Sequence, residues 1–412
     1  MEKCLIVVGY NNVRIYDIPK IRNACQQLFG AKLLLVTPQI EEADRHAADE
    51  MLACTLTYDS VDEATQWVCR ELEYLKLEPI GILPFSDSGV PLGANLAKHF
   101  GLPGIDPDDA LAGLDKRVFR DRDANSGAYI PGYKPVRCVH VRSKEHFQSV
   151  VAELGGRAFV KPASEGNSRG CHVVPSLDQC DAIWSGLSGY HTAGVIVEEL
   201  IENAQEYSWD YVAGCTWITE KQTTTGAFRA EIQQIVPAPL TEDNRLQVDA
   251  AGHHMRRLVP GGGAYHNEIF SRSGFTAAVE TNMRPAGLHI WDLARLSFKD
   301  LNPWEMWVRW AVTGVVHPVS PVAQCYSGIR LIKAPKSGIL TALADIEHIG
   351  AELGIEVRDC RYSKQLGNYV TDSPQDNAGF LGEIIICAAE YEDLRARLLE
   401  LTSEIESRIG IS

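Results

Sequence analysis

The stretch that decides the fold is 278-AVETNMRPAGLHIWDL-293, which begins like a buried strand and then breaks into a loop. Its first half places a carboxylate at Glu280, an amide at Asn282 and a guanidinium at Arg284, at every second residue. Side chains of a strand alternate between its two faces, so these three groups point the same way. The alternative to a functional site is a solvated polar face of a sheet.

The residues 264-AYHNEIF-270 predict a partner strand for this ladder. If Gly274 takes the left-handed position of a three-residue hairpin loop, residues whose numbers sum to 546 lie opposite each other. His266 then faces Glu280, and Glu268 lies diagonally across on the same face. Carboxylates that lie so close need a proton or a cation between them, and oxygen ligands favour magnesium. The predicted metal ligands are Glu268, Glu280 and Asn282.

The composition limits the class of protein. A chain of 412 residues is too long for one core, which predicts two or three lobes. The net charge of -15 argues against nucleic acid and anionic membranes as partners, because such surfaces need clustered Lys and Arg. The eleven cysteines form no CxxC pair and have no zinc spacing, which predicts reduced thiols. With no apolar window near twenty residues, the sequence predicts a cytoplasmic protein with no membrane partner.

Residues 1–110 alternate strand-like and helix-like blocks, which predicts a small parallel sheet with helices on both faces. Ligands of such sheets bind beyond the carboxyl ends of the strands, so 85-FSDSG-89 is a predicted ligand edge. Asp87 in this loop is a candidate partner for a substrate ammonium. Residues after Arg157 predict antiparallel strands, and residues 291–314 predict a helix with a packed tryptophan face.

A second group of residues suits a nucleotide. The segment 159-FVKP-162 places Lys161 in an apolar strand, and 163-ASEGNSRG-170 follows as a small polar loop. Such a loop can present backbone N–H groups to phosphates and close as a flap, although most Gly/Ser loops are only turns. Lys116 is a second candidate cation, with a surface lysine as the alternative. The apolar run 195-VIVEELI-201 suits a base, since a nucleotide base needs an apolar slot.

These segments, in this order, resemble the ATP-grasp superfamily over roughly residues 80–335. The resemblance implies an α/β and α+β fold: an ATP-grasp fold with a preceding small parallel-sheet domain and a C-terminal subdomain. The expected domains are residues 1–110, 111–196 (the small lobe) and 197–412 (the large lobe). The motifs that carry the resemblance are 114-LDKR-117, 159-FVKP-162 with its glycine loop, 197-VEE-199, 206-EYS-208, 266-HNE-268 and 280-ETNMR-284.

The resemblance also implies roles for single residues. The expected contacts of ATP are Lys116 and Lys161 at the phosphates and the adenine side, Glu165, Gly166, Asn167, Ser168 and Gly170 over the phosphates, Glu198, Glu199 and Ile201 at the adenine hinge, and Glu206 at the ribose. Arg284 is expected to stabilise the transferred phosphoryl group or an acyl phosphate. The catalytic set is Arg284, Lys161 and His266, the last as a proton relay, with a structural histidine as the alternative.

The segment 283-MRPAGLHI-290 resembles carboxylate–amine ligases of the L-amino-acid ligase, or dipeptide synthase, type. The resemblance implies an ATP-dependent enzyme that joins a carboxylate, such as an amino acid, to the amine of an amino acid through an acyl phosphate. ATP and two Mg²⁺ ions, with Mn²⁺ as a substitute, are the implied cofactors. Small carboxylates and amines are the partners, in a homodimer. The alternatives are a carboxylase or nucleotide-biosynthesis ligase of the same fold, and a non-catalytic ATP-binding protein.

Overall fold

The computed structural model describes residues 1–10, 12–166, 169–224 and 230–412. Its first part alternates strands with helices, because apolar runs of four to seven residues are followed by amphipathic segments. These elements are β1 (Glu2–Val8), α1 (Ile18–Phe29), β2 (Lys32–Thr37), α2 (Asp44–Ala47), β3 (Glu50–Ala53), α3 (Val61–Leu75), β4 (Leu77–Pro84) and α4 (Gly89–Phe100).

The strands of this first lobe form a parallel sheet in the order β3-β2-β1-β4, as the sequence predicted. Both faces of β1 are buried: Leu5 and Val7 pack into one core, and Ile6 and Val8 into another. Parallel strands covered on both faces read as continuous apolar runs for this reason. The carboxyl ends of β1 and β4 therefore meet at one edge of the sheet, where the loop with Asp87 begins.

Two short helices lead into the second lobe, α5 (Pro107–Ala110) and α6 (Lys116–Ala124). Asp115 caps α6 by accepting a hydrogen bond of 2.9 Å from the backbone N–H of Arg117. A side chain that accepts such a bond satisfies one of the free donors at a helix start. The cap fixes Lys116 as the first residue of α6.

The second lobe is an antiparallel sheet covered by two helices. Its elements are β5 (Cys138–Val141), α7 (Lys144–Glu153), β6 (Ala158–Pro162), β7 (His172–Val174), α8 (Cys180–Gly186) and β8 (Val195–Glu198). The strand order is β5-β8-β6-β7. Val160 packs with Phe147 in the core, so Lys161 points to the opposite face of β6. The domain boundary predicted at residue 196 falls inside β8.

The third lobe has a large antiparallel sheet whose core is covered by helices. Its elements up to the last core strand are β9 (Gln205–Val212), β10 (Cys215–Thr223), β11 (Glu231–Val236), α9 (Glu242–Leu258), β12 (Ala264–Arg272), β13 (Phe275–Asn282), α10 (Ile290–Ser297), α11 (Pro303–Thr313) and β14 (Tyr326–Ile332). The C-terminal elements are β15 (Gly338–Ala342), α12 (Ile346–Leu353), β16 (Val357–Tyr362), β17 (Tyr369–Val370), β18 (Gly382–Ala388), α13 (Tyr391–Ser407) and β19 (Gly410–Ile411). The sheet runs in the order β13-β12-β9-β10-β11-β14-β18-β16.

The helix predicted over residues 291–314 is two helices in the structure. Asn302 caps α11 and Pro303 is its first residue; proline at that position is compatible with a helix start but not with a helix interior. The predicted tryptophan face is confirmed, since Trp304 and Trp307 are buried at 2% and 1% exposure. Both rings contact Phe85, with centroids 5.9 and 5.8 Å away. This contact ties the ligand edge of the first lobe to the third lobe.

The cysteines and the apolar character of the helices were also predicted from the sequence. All eleven cysteines are free, as expected for reduced thiols. In the part of the chain that the structure describes, no helix combines the length and the apolar character that crossing a membrane requires.

Candidate active site

The polar ladder lies on a hairpin whose register differs from the prediction. The loop has two residues rather than three, because Arg272 pairs with Phe275, and Gly274 has a φ of 71°. A bulge at Val279 then shifts the pairing by one more residue. Glu268 is therefore directly opposite Glu280. The predicted pairing of His266 with Glu280 is wrong, since His266 faces Asn282.

A buried arginine explains the bulge. Arg120, on α6, donates to the carbonyl oxygens of Ala278 and Val279 over 2.9 and 2.8 Å. A bulge leaves backbone groups outside the sheet ladder, and buried backbone oxygens need partners. Arg120 supplies both partners while its Nε pairs with Glu198 at 2.7 Å. The sequence analysis missed Arg120. Its position one helical turn after Lys116 is the signal that could have identified it.

Glu198 joins two cations in a closed, buried cluster. Its second oxygen contacts Lys161 Nζ at 2.8 Å, and the carboxylate is 4% exposed. Burial raises the pKa of Glu198, but Arg120 and Lys161 outweigh burial and lower it to about 2. Glu198 is thus an ionised anchor for Lys161. The predicted hinge continues with Glu199, whose carboxylate accepts from the backbone of Arg137 at 2.8 Å, and with half-buried Ile201.

Lys116 connects the glycine loop to the ladder. Its ammonium contacts the carbonyl oxygen of Glu165 at 2.6 Å and Glu280 Oε2 at 3.1 Å. Burial lowers the pKa of Lys116, but Glu280 outweighs burial and the net shift is upward, so the lysine stays charged. Asn167 and Ser168, predicted to cover the phosphates, lie outside the described residues.

The described end of the glycine loop is sterically fixed. Gly170 has a φ of 69°, in the left-handed region. A Cβ at Gly170 would lie 2.8 Å from Pro162 and from the ring of Tyr190. Gly166, at the other end, has open space around it. The loop is therefore pinned against β6 just after Lys161.

A second buried cluster surrounds Lys221, which the sequence analysis missed. The side chain of Lys221 is 1% exposed and contacts Glu206 at 2.9 Å, Glu231 at 2.5 Å and also Glu268. Oxygens of the three carboxylates all lie within 4.8 Å of one another. Burial raises the pKa of Glu206 more than Lys221 lowers it. Glu206, predicted at the ribose, thus lies beside the predicted metal ligand Glu268.

His266 is held between two carboxylates. Its Nδ1 is 2.8 Å from Asp210 and its Nε2 is 3.3 Å from Glu268. Burial lowers the pKa of His266, but Asp210 and Glu268 together raise it to about 9. A protonated imidazole donates through both nitrogens and accepts no proton. At neutral pH the ring therefore orients Glu268, and its predicted part in proton relay stays a prediction.

Arg284 reaches from the third lobe to the first. Its Nε and one terminal nitrogen donate to the two oxygens of Asp87 over 2.8 and 2.9 Å, a bidentate pair. Asp87, the candidate partner for a substrate ammonium, is therefore occupied by Arg284 in this structure. The pair lies where the ligand edge of the parallel sheet meets the end of β13.

The donor set of the ladder suits a hard divalent cation. Glu268 and Glu280 are opposite each other, and Asn282 uses its amide nitrogen for Glu280 and for the carbonyl of His266, over 3.3 and 3.2 Å. Its amide oxygen is the atom that a cation would take. Oxygen donors of this kind are the ligands that magnesium prefers. The residues therefore fit the predicted metal.

No family model matches the sequence. The chain is similar in structure to the L-amino acid ligase from Bacillus licheniformis, with a TM-score of 0.77 at 17% identity over 100% of this chain and 99% of that one. It is also similar to phosphoribosylglycinamide synthetase from Anaerococcus prevotii, with a TM-score of 0.67 at 15% identity over 100% and 99% of the two chains.

Two curated proteins are similar in sequence. The formate-dependent phosphoribosylglycinamide formyltransferase of Synechococcus elongatus is 26% identical over 267 residues, 60% of this chain and 65% of that protein. The uncharacterized protein y4rH of Sinorhizobium fredii is 27% identical over 227 residues, 53% of this chain and 46% of that protein. The chain thus spans less than two thirds of the length of these relatives.

These similarities confirm the predicted fold class: the chain has the ATP-grasp fold, and the relatives whose names give an activity are a ligase, a synthetase and a formyltransferase. Within that class it is similar to an L-amino acid ligase in structure and to phosphoribosylglycinamide formyltransferases in sequence. A further relative, the purK synthetase, was solved as an ADP complex, with a TM-score of 0.70 at 13% identity over 99% of this chain and 98% of that one.

Proposed function

We propose that the protein is an ATP- and magnesium-dependent ligase that joins a carboxylate to the amine of an amino acid. The observation that carries the proposal is the junction at Glu280. This carboxylate lies opposite Glu268, contacts Lys116, and stands on the same strand end as Arg284. A metal ladder, a phosphate-loop lysine and an anion-binding guanidinium thus meet in one place.

The nucleotide is held between the second and third lobes in this proposal. Lys161 directly precedes the glycine loop, and Lys116 contacts the carbonyl oxygen of Glu165 in that loop. The residues at and just after the end of β8 are Glu198, Glu199 and Ile201. The two lysines match the phosphates of ATP, and the backbone and the apolar side chain at the end of β8 match its base. Mg²⁺ on Glu268, Glu280 and Asn282 would supply charge neutralisation at the phosphates. Two ions, or Mn²⁺ in their place, are part of the same proposal.

The chemistry needs no covalent residue. An oxygen of the substrate carboxylate attacks the γ-phosphorus of ATP; the new P–O bond forms as the bond to ADP breaks, and an acyl phosphate results. The amine nitrogen then attacks the acyl carbon, the C–O bond to phosphate breaks, and the amine loses a proton. Arg284 stabilises the oxygen charge that develops on the acyl group, and the loop ending at Gly170 excludes water.

The test is acceptor-dependent release of ADP. The enzyme is incubated with ATP, Mg²⁺ and pairs of amino acids, and the products are identified by mass spectrometry. Release that rises with an amine acceptor, together with a dipeptide-like product, supports the ligase. Glu280→Gln should lower kcat by about 100-fold or more, because it removes a charge at the reacting phosphates. Undiminished turnover in this variant would contradict the assignment of Glu280 to the metal site.

A second candidate is a ligase of nucleotide biosynthesis. The observation that favours it is the 26% identity to a formate-dependent phosphoribosylglycinamide formyltransferase over 60% of the chain. Formate as the carboxylate and phosphoribosylglycinamide as the acceptor are therefore included in the screen. A formylated product, with no amino-acid pair active, would decide for this candidate.

A further inference from the structure

Two arginines from different lobes converge on one carbonyl oxygen. Arg14, which follows β1, donates to the carbonyl of Pro285 over 2.9 Å, and Arg284 donates to the same oxygen over 3.1 Å. Their two guanidinium nitrogens are therefore at most about 6 Å apart, the limit that two hydrogen bonds of this length to one atom set. Neither the ATP site nor the metal ladder uses Arg14.

The position of Arg14 is fixed by its surroundings. The guanidinium lies 4.0 Å from the ring centroid of Phe85, and its Nε pairs with Asp17 at 3.2 Å. Phe85 is itself packed against Trp304 and Trp307. Arg14 is only 5% exposed, and burial together with the charge of Arg284 lowers its pKa to about 10. Two buried like charges that close are unfavourable unless an anion lies between or beside them.

Ion pairs surround the two arginines. Ion pairs continue from Arg14 as one connected network. Its members are Arg14, Asp17, Lys20, Asp292, His289, Glu383 and Arg361. Burial lowers the pKa of His289, but its two carboxylate partners outweigh burial and raise it to about 9, so the ring is protonated at neutral pH. Arg284 adds a further cation beside Asp87, and Glu280 and Glu268 of the ladder also lie within electrostatic range of it.

We propose that Arg14, with Arg284 beside it, binds a carboxylate that the acceptor amine itself carries. Arg14 thereby selects an α-amino acid over an amine that has no acid group. This inference rests on the proposed ligase function, because that function supplies the acceptor amine. The positions of the two arginines fit this assignment. Arg284 lies next to the metal ladder, and Arg14 lies on the other side of the Pro285 carbonyl, where the unreactive carboxylate of the acceptor would bind. Asp87, freed when Arg284 turns to that carboxylate, takes the proton that the acceptor's ammonium loses before its nitrogen attacks the acyl carbon.

The experiment compares three acceptors with and without Arg14. An α-amino acid, its α-carboxamide and the corresponding amine without the acid group are assayed with ATP and Mg²⁺. The wild type should prefer the amino acid by about 100-fold in kcat/KM, as expected for a buried charged contact. Arg14→Gln should bring the three acceptors within about threefold of one another and leave the KM of ATP unchanged. An unchanged preference in Arg14→Gln, or no preference in the wild type, overturns the inference.

Two further variants guard against loss of folding. Arg14→Lys keeps the charge but not the forked donors, so its preference should fall between those of wild type and Arg14→Gln. Asp17→Asn removes the partner of Arg14 and should keep the preference. A loss of preference in Asp17→Asn equal to that of Arg14→Gln contradicts a direct contact. Thermal unfolding of each variant shows which of them are folded.

Binding without turnover separates this inference from the function on which it rests. The amino acid and its carboxamide are titrated against enzyme that holds Mg²⁺ and a non-hydrolysable ATP analogue. If no acceptor raises ADP release, the ligase function fails, while tighter binding of the amino acid that Arg14→Gln removes still supports the Arg14 contact. Equal binding of the two compounds, or tighter Arg14-dependent binding of a phosphorylated amine, overturns the assignment to a carboxylate.

Discussion

Two buried charge clusters flank the junction at Glu280, and their charge ratios are opposite. Around Glu198, one carboxylate holds two cations, Arg120 and Lys161. Around Lys221, one ammonium holds three carboxylates. The first cluster has an excess of positive charge and the second an excess of negative charge. Buried charge without compensation is unfavourable, so each cluster indicates the sign of a missing ligand.

The difference gives the site a direction. The positive cluster lies at the end of β8 beside the glycine loop, where an anionic nucleotide would bind. The negative cluster shares Glu268 with the ladder, where a divalent cation would bind. A nucleotide–metal complex carries both charges in this order. The polarity supports the proposed placement of the phosphates of ATP between Lys161 and the metal ladder.

The largest expected effect comes from breaking the negative cluster at the ladder. Glu268→Gln should lower kcat by about 100- to 1,000-fold, because it removes a charge that Lys221 contacts and that the proposed metal would need. Steady-state release of ADP measures it. Glu202→Gln is the matched control, since Glu202 is exposed and its carboxylate pairs with Arg157; its activity should equal that of the wild type. A fall of less than tenfold in Glu268→Gln would contradict the assignment.

Removing the central lysine tests stability rather than catalysis. Lys221→Met leaves three partly buried carboxylates without Lys221 and should cost about 3 kcal/mol in the free energy of unfolding. Lys161→Met should cost less than half of that, because Glu198 keeps Arg120. Denaturant unfolding with and without Mg²⁺ measures both variants. Mg²⁺ should restore part of the loss in Lys221→Met only; equal losses, or no effect of Mg²⁺, would show that the two clusters are equivalent.

The positive cluster is tested by the pH dependence of the free energy of unfolding. The pKa of Glu198 is lowered to about 2, below its usual value near 4.5 in an unfolded chain. Its contribution to stability is therefore complete above about pH 4.5 and is lost as the pH falls towards 2. Glu198→Gln should be less stable than the wild type at neutral pH, and the difference should shrink through this window. Unfolding curves from pH 6 to pH 2 measure it; parallel curves would be evidence against the shifted pKa.

The smallest expected effect concerns the loop beside the positive cluster. Gly170→Ala introduces strain at a positive φ and a contact with Pro162, and should cost about 1–2 kcal/mol and raise the KM of ATP. Gly186→Ala is the matched control in the same lobe, with open space and an ordinary φ, and should be neutral or slightly stabilising. Thermal unfolding and ATP kinetics measure both. An unchanged KM in Gly170→Ala would remove the loop from the nucleotide site.

The β12–β13 hairpin was predicted only in part from the sequence. Alternation placed Glu280, Asn282 and Arg284 on one strand and Glu268 on its neighbour. The structure has Glu280 and Asn282 in β13 and Glu268 in β12, whereas Arg284 lies two residues beyond the end of β13. The register was wrong at two points, the loop length and the bulge at Val279. The bulge depends on Arg120, which comes from a distant helix and is itself held by Glu198. No local pattern contains that information, because the partners of the bulged carbonyls are 158 and 159 residues away.

The sequence by itself determined the fold class and pointed to candidate site residues, because side-chain type and spacing along a strand are local properties. Only the tertiary structure decided which charges share a buried volume. Lys221 sits among Glu206, Glu231 and Glu268, and Arg14 meets Arg284 at Pro285, because three lobes bring distant segments together. Electrostatic energy depends on distance in space and on burial, and neither is written in the order of the residues.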